Sequence, residues 1–240
     1  MSMYPDSNAT RRPLDLGISE QERAIFHFFN AVYAWMCVGL AVTAASAYLV
    51  SQNAQLVHTF TSSGLGIVFL LGSVAMVWAI QSTAQRIQPT LATVLFLLYS
   101  AVIGAIFSGI FVLYNLQTIS GAFIMTAGVF GGMSVYGFVT KRDLTALGSI
   151  LIMCVWGLIL ASLVSFFFAS TALEWIINYA ILLVFIGLTA ADTQRLKAIA
   201  VQVSGDARAS ASYAIIGSLR LYLDFINMFL AILRILGNRR

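Results

Sequence analysis

Two aspartates interrupt apolar runs of this sequence. Asp224 lies near the middle of the last run, within LYLDFIN at 221–227, and Asp192 closes the preceding run, within LTAADTQR at 188–195. A carboxylate at the centre of a bilayer costs roughly 2.5–3.5 kcal/mol on insertion scales, so such a residue is by default a candidate for function. The structural alternative for Asp224 is a neutral, hydrogen-bonded group that only holds helices together. The alternative for Asp192 is a place among the lipid headgroups.

If the two aspartates meet, they share one site from which water is excluded. Both cannot ionise cheaply there, so the pair retains a proton near neutral pH. A protonated pair hydrogen-bonds and holds its helices together, whereas an ionised pair repels itself or attracts a cation. This chemistry predicts a pH-sensitive gate. Hard cations such as calcium bind oxygen ligands, but two acids suit transient passage better than a tight site.

Arg220 complicates this gate, because it precedes Asp224 by four residues and shares its helix face. In one alternative, Arg220 pairs with Asp224 and keeps that carboxylate ionised. In the other, the long side chain of Arg220 carries its charge toward the membrane interface. The sequence leaves both alternatives open.

The other reactive side chains form no recognisable catalytic or metal site. His27 and His58 lack metal-ligand spacing. Cys37 and Cys154 lie inside apolar runs, where free cysteine behaves as a small hydrophobe. Neither aspartate carries the Gly-x-Gly-Asp pattern of intramembrane aspartyl proteases. We therefore predict a protein that is not an enzyme and has no cofactor.

The elements that position the two aspartates are membrane-spanning helices. Apolar residues make up 60% of the chain and charged residues only 9%, against roughly 25% charged residues in soluble domains. A span needs about 20 apolar residues, and such runs predict helices near 29–50, 64–82, 90–113, 119–139, 147–169, 175–193 and 213–236. The prediction is an all-α membrane protein with seven transmembrane helices in one domain, 25–240, after a polar cytosolic tail, 1–24.

The basic residues predict the orientation of these helices. Nine Lys and Arg residues lie before the first run or in alternate connections, and the intervening connections 51–63, 114–118 and 170–174 hold none. The positive-inside rule then places the N-terminus in the cytosol. Because the basic residues orient the helices, the net charge of +4 does not require a nucleic-acid partner. Arg239 and Arg240 conflict with the rule if the last helix spans fully. We favour a full span over a re-entrant helix, because earlier helices usually dominate orientation.

Two separated motifs carry a resemblance to a known family. The string FGGMSVYGFVTKRDL at 130–144 resembles a signature of the Bax inhibitor-1 family, the transmembrane Bax inhibitor motif proteins. The string at 221–227, followed by Leu233 and Arg234, resembles the last helix of that family. The resemblance extends from the first span to the C-terminus and is that of a bacterial member, which predicts the bacterial inner membrane as its location.

The resemblance implies six helices around a central seventh and a pH-sensitive calcium leak. The aspartate pair that joins the family's gate falls on Asp192 and Asp224, which would also contact calcium in transit. A basic residue after the second helix is linked to that pair, and Arg86 is its nearest counterpart here. Arg220 departs from the family pattern, in which a small or polar residue is usual. Some bacterial relatives instead modulate a membrane-bound protease, so the alternative is a non-transporting regulator that binds a membrane protease or another stress-response partner.

Overall fold

The computed structural model describes residues 20–61, 64–85, 88–167 and 171–237. Within these ranges every regular element is an α-helix. In chain order they are α1 (Glu20–Ser51), α2 (Ala54–Thr61), α3 (Gly64–Gln85), α4 (Pro89–Ile106), α5 (Gly109–Leu113), α6 (Leu116–Val139), α7 (Thr145–Phe167), α8 (Thr171–Gln202) and α9 (Ala207–Leu236).

Most of these helices are long and apolar enough to cross a membrane. Among the described residues, six segments meet both conditions: Glu20–Ser51, Pro89–Leu113, Leu116–Val139, Thr145–Ser165, Thr171–Gln202 and Ala207–Leu236. In lipid every backbone group must find its partner inside its own segment, which a helix achieves. The predicted all-helical membrane class is confirmed. A seventh span requires α3, whose 22 residues extend about 33 Å.

The last helix lies at the centre of the bundle, as expected. In the most apolar 18-residue stretch of α9, 72% of the residues are buried, against 6–39% in the corresponding stretches of the other five spans. The neighbours of α9 are α1, α3, α4, α6 and α8, whereas α7 packs chiefly against α8. The surrounding helices therefore enclose α9, and α7 is the most peripheral of them.

Helix α9 runs the full length of the bundle. It is a continuous helix of 30 residues, which corresponds to about 45 Å. In its first half Gly217 contacts Leu196 and Val32, and beyond its last turn Gly237 contacts Tyr114 in the α5–α6 connection. This geometry excludes the re-entrant alternative. We call the bundle end that carries Arg142, Lys197 and the start of α9 the basic end.

Two element boundaries differ from the sequence-based expectation. The run predicted as one helix over 90–113 turns at Phe107 and Ser108, in a stretch where Ser and Gly have weak helix propensity. The stretch 193–212, expected to be a long connection, is almost entirely helical. Its polar residues hide it from hydropathy, and the Asp206 carboxylate caps α9 by accepting N–H bonds from Arg208 at 2.8 Å and Ala209 at 3.0 Å.

A buried hydroxyl network joins α9 to α1 and α4. Tyr222 is completely buried, and its hydroxyl lies 2.7 Å from Thr43 Oγ1. Thr43 Oγ1 lies 3.0 Å from the Ser100 carbonyl oxygen. The rings of Phe96 and Tyr99 pack edge-on against Tyr222. Because hydrogen bonds are directional, this network sets the rotation of α9 and hence the direction in which Asp224 points.

Candidate functional site

Asp224 is buried in the middle of α9. Only 4% of the residue is exposed, and its Oδ2 atom finds no hydrogen-bond partner among the described residues. An ionised carboxylate only accepts hydrogen bonds, and an unsatisfied buried acceptor costs roughly 1–3 kcal/mol or more. A proton, a water molecule or a cation on this oxygen would remove the penalty.

Asp192 is also buried, although it follows the end of an apolar run. It is 8% exposed and belongs to an unbroken buried stretch, 188–193. Helix α8 continues to Gln202, so roughly 15 Å of helix separates Asp192 from the helix end. Asp192 therefore faces the interior of the bundle and not the lipid headgroups, and α8 packs against α1, α6, α7 and α9.

The two aspartates lie on helices that pack against each other, Asp192 on α8 and Asp224 on α9. Whether they share one proton or one water stays a prediction.

Arg220 has a partner that neither of the alternatives open from sequence included. Its Nη1 atom lies 3.8 Å from Asp192 Oδ1 on the neighbouring helix, and 38% of its side chain is exposed. Its charge also acts on Asp224, yet the ion pair it forms in the described structure is with Asp192. The shared helix face suggested Asp224, but the long arginine stem reaches across to α8.

Arg195 is a site residue that the sequence argument missed. Its Nη1 atom lies 3.5 Å from the same Asp192 Oδ1, three residues earlier on α8. An acid and a base three residues apart on a helix would have identified it. Arg195 was counted instead among the bases of a connection. With both aspartates ionised, the two acids and two arginines sum to zero charge.

This neutral cluster bears on the expected calcium site. Among the described residues no group of three or more His, Cys, Asp or Glu could hold a metal ion. Asp192 and Asp224 alone provide too few oxygen ligands for the six to eight that calcium prefers. The donor set therefore fits passage of a cation and does not fit a resident one.

The motif at 130–144 holds α8 in place close to Asp192. The Lys197 ammonium donates to the Phe138 carbonyl at 2.8 Å. The Gln194 amide donates to the Arg142 carbonyl at 2.7 Å and accepts from the Leu144 N–H at 2.8 Å. These bonds satisfy backbone groups at the end of α6 and connect them to the turn of α8 that follows Asp192.

Helices α6 and α8 also approach closely just before Asp192, at Gly137 and Ala190. A Cβ atom on Gly137 would collide with the backbone carbonyl of Ala190. Only glycine allows α6 to approach α8 this closely. Together with the hydrogen bonds of Gln194 and Lys197, this contact fixes the height of Asp192 in the bundle.

Asp143, in the α6–α7 connection, has a different role. Its carboxylate accepts the Thr145 N–H at 2.8 Å, and hydrogen bonds from Thr145 hold the pKa of Asp143 below its ordinary value. This exposed acid caps α7 and lies outside the gate. Arg86, the other predicted charge partner, lies outside the described residues.

A large cavity is lined on α9 by Leu223 and Asn227, residues that flank Asp224 in sequence. It measures about 670 Å³ and lies among α3, α4, α7, α8 and α9. Its polar lining comes from Ser73, Tyr99, Ser162 and Asn227.

Comparison with known proteins identifies the family of this chain. The family described as "Inhibitor of apoptosis-promoting Bax1" matches residues 26–240. The chain belongs to this Bax inhibitor-1 family of multi-pass membrane proteins, so the resemblance inferred from the two motifs is confirmed.

Its relatives include bacterial proteins of the same length. "Inner membrane protein YbhL" of Escherichia coli K12 is 41% identical over 232 residues, which cover 96% of this chain and 99% of that protein. A Borreliella burgdorferi protein is 42% identical over 229 residues, covering 95% and 99%. A Deinococcus radiodurans protein is 42% identical over 214 residues, covering 89% and 90%.

Proposed function

We propose that this protein is a pH-sensitive cation leak, with calcium as the principal ion, gated by Asp192 and Asp224. The observation that carries the proposal is the Oδ2 atom of buried Asp224, which has no hydrogen-bond partner among the described residues and belongs to the helix that packs against α8, the helix of Asp192. An acceptor in that position is satisfied by a proton when the gate is closed and by a cation in transit when it is open.

The charges around the pair assign different roles to the two aspartates. Asp192 accepts a hydrogen bond from Arg195 and forms an ion pair with Arg220, so it is the acceptor of the pair. Asp224 is the member that gains and loses the proton. Protonated Asp224 donates to Asp192 and joins α9 to α8. Loss of the proton leaves two carboxylates in one desolvated site, and their repulsion separates the helices at this level.

Calcium flux into liposomes tests the leak directly. Purified protein is reconstituted with an enclosed calcium indicator, and the initial influx rate is measured from pH 5 to pH 8. We expect low flux at acidic pH and rising flux as Asp224 loses its proton. Flux equal to that of empty liposomes, or flux independent of pH, would remove support for the leak.

We infer that the basic end faces the cytosol and that the membrane is the bacterial inner membrane. The loop asymmetry supports the first inference, and the printed name of the Escherichia coli relative supports the second. Thr118 and Thr145 lie near opposite ends of the bundle, each with its backbone N–H in a helix cap. A membrane-impermeant thiol reagent should label Thr118→Cys from outside intact cells and leave Thr145→Cys unlabelled. The reverse pattern would invert the orientation.

The second candidate function is a non-transporting regulator of another membrane protein, such as a membrane protease or a stress-response partner. The peripheral position of α7 favours it, because only 6% of that span is buried and 66% of Trp156 is exposed. A photo-reactive residue at position 156 would crosslink such a partner in membranes. A partner whose activity depends on α7, together with no calcium flux, would favour this function over the leak.

A further inference from the structure

A groove separates α1 from α6 near the basic end. It encloses about 460 Å³, and aromatic rings make up most of its lining: Phe26, Phe29, Tyr33, Phe130 and Phe138. Phe26 is 57% exposed, so the groove opens sideways from the bundle. In a membrane protein, that opening faces the acyl chains of the leaflet at the basic end.

Ser134 places an unsatisfied hydroxyl in this groove. The residue is 5% exposed and lines the groove, and its Oγ atom has no hydrogen-bond partner among the described residues. Thr126 on the same helix donates to the carbonyl of Ala122 at 2.7 Å, which is the usual solution for a hydroxyl in an apolar helix. A buried donor without a partner indicates an acceptor that enters from outside the chain.

Positive charge gathers at the end of the same groove. The Lys197 Nζ atom lies 4.6 Å from the centre of the Phe138 ring and 2.8 Å from the Phe138 carbonyl oxygen. An ammonium group has three donors, and that carbonyl uses one of them. Lys141 and Arg142 follow α6 within four residues of Phe138. An apolar groove with a cationic end matches a phospholipid tail and its phosphate.

We propose that the α1–α6 groove is a binding site for one anionic phospholipid of the leaflet at the basic end. One acyl chain lies among the aromatic rings, Ser134 donates to an ester carbonyl, and Lys197 with Lys141 binds the phosphate. Ser134 and Phe138 are one helical turn, about 5–6 Å, apart, so the two polar contacts are spaced along the groove axis. Basic pockets between membrane helices are a general solution for anionic headgroups.

Charge variants test the headgroup contact. Lys197→Gln removes the charge and keeps an N–H donor for the Phe138 carbonyl, Lys197→Arg keeps the charge, and Arg208→Gln removes an exposed charge elsewhere at the basic end. One Lys or Arg near an anionic surface contributes about fivefold in affinity. Lys197→Gln should therefore lower the preference for phosphatidylglycerol over phosphatidylcholine about fivefold, and the other two variants should retain it.

Glycine variants test the tail contact. Gly131 lines the groove, and a Cβ atom there has open space around it, as it does at neighbouring Gly132 outside the groove. Gly131→Leu fills the groove, whereas Gly132→Leu adds the same volume toward bulk lipid. Gly131→Leu should reduce retention of phosphatidylglycerol about tenfold, and Gly132→Leu should leave it unchanged.

Native mass spectrometry of the full chain, equilibrated with equal amounts of phosphatidylglycerol and phosphatidylcholine of identical chains, measures both effects. Thermal melting of each variant monitors folding, and the comparison of Lys197→Gln with Lys197→Arg decides the question if Gly131→Leu does not fold. The proposal is supported if one phosphatidylglycerol is retained in preference and both groove variants lose it. It is overturned if both lipids are retained equally, or if Lys197→Gln behaves like Arg208→Gln.

Discussion

Replacement of Arg220 by Gln is the most informative perturbation of the gate. The Arg220 guanidinium lies 3.8 Å from Asp192 and also acts electrostatically on Asp224. A positive charge near the pair opposes proton uptake. Its removal should let the pair bind a proton at higher pH, so the midpoint of the flux–pH curve should move upward.

The size of this shift follows from distance and exposure. Two unit charges about 4 Å apart interact by about 1 kcal/mol in water and about 4 kcal/mol at an effective dielectric constant of 20. Because 38% of the Arg220 side chain is exposed, solvent screening favours the lower part of that range. One pH unit corresponds to about 1.4 kcal/mol, so we expect an upward shift of about one unit.

Arg195→Gln provides a matched control. Arg195 lies even closer to Asp192, at 3.5 Å, but it belongs to α8, whereas Arg220 is four residues from Asp224 on the same helix, α9. If Asp224 carries the proton, Arg195→Gln should move the midpoint by less than half as much as Arg220→Gln. An equal or larger shift for Arg195→Gln, or no shift for Arg220→Gln, would refute the assignment of the proton to Asp224.

Three further changes test the gate and its support. Asp224→Asn should alter the flux–pH curve more than Asp192→Asn does. The amide that Asp224→Asn introduces is a permanent hydrogen-bond donor beside the Asp192 carboxylate, so the variant should keep the leak nearer its closed state. Equal effects of the two variants in the calcium-flux assay would contradict this. Gly137→Val forces a side chain into the backbone of α8 and should lower the free energy of unfolding by about 1–3 kcal/mol. The control Gly132→Val places its side chain in open space. Equal melting temperatures of the two variants would show that the close contact is unimportant. Gln194→Ala removes two hydrogen bonds to the α6–α7 connection and should destabilise the protein by about 1–3 kcal/mol, measured by thermal unfolding in detergent.

The helical class could be predicted from the sequence alone, and the same apolar runs single out the two aspartates as candidates. Apolar runs of spanning length leave the backbone no alternative to helices in lipid. A carboxylate such as Asp224 stands out against such a run because its cost does not depend on the details of packing. The motif at 130–144 indicated the family for the same reason, since it is a local property of the chain.

The depth of Asp192 could not be predicted, because hydropathy measures where a chain leaves lipid and not where its helix ends. Helix α8 continues in polar sequence to Gln202, and the helices around it bury a residue that seemed interfacial.

The partner of Arg220 and the role of Arg195 were decided only by the tertiary structure. Sequence spacing relates residues on one helix, whereas the contact between Arg220 and Asp192 depends on the rotation and height of α9 relative to α8. The Tyr222 network orients α9 against α1 and α4, and the close approach at Gly137 positions α8 against α6. Both arise from residues distant in sequence that meet only when the helices pack. The sequence therefore determined which groups are costly in a membrane, and tertiary packing determined which charges they meet.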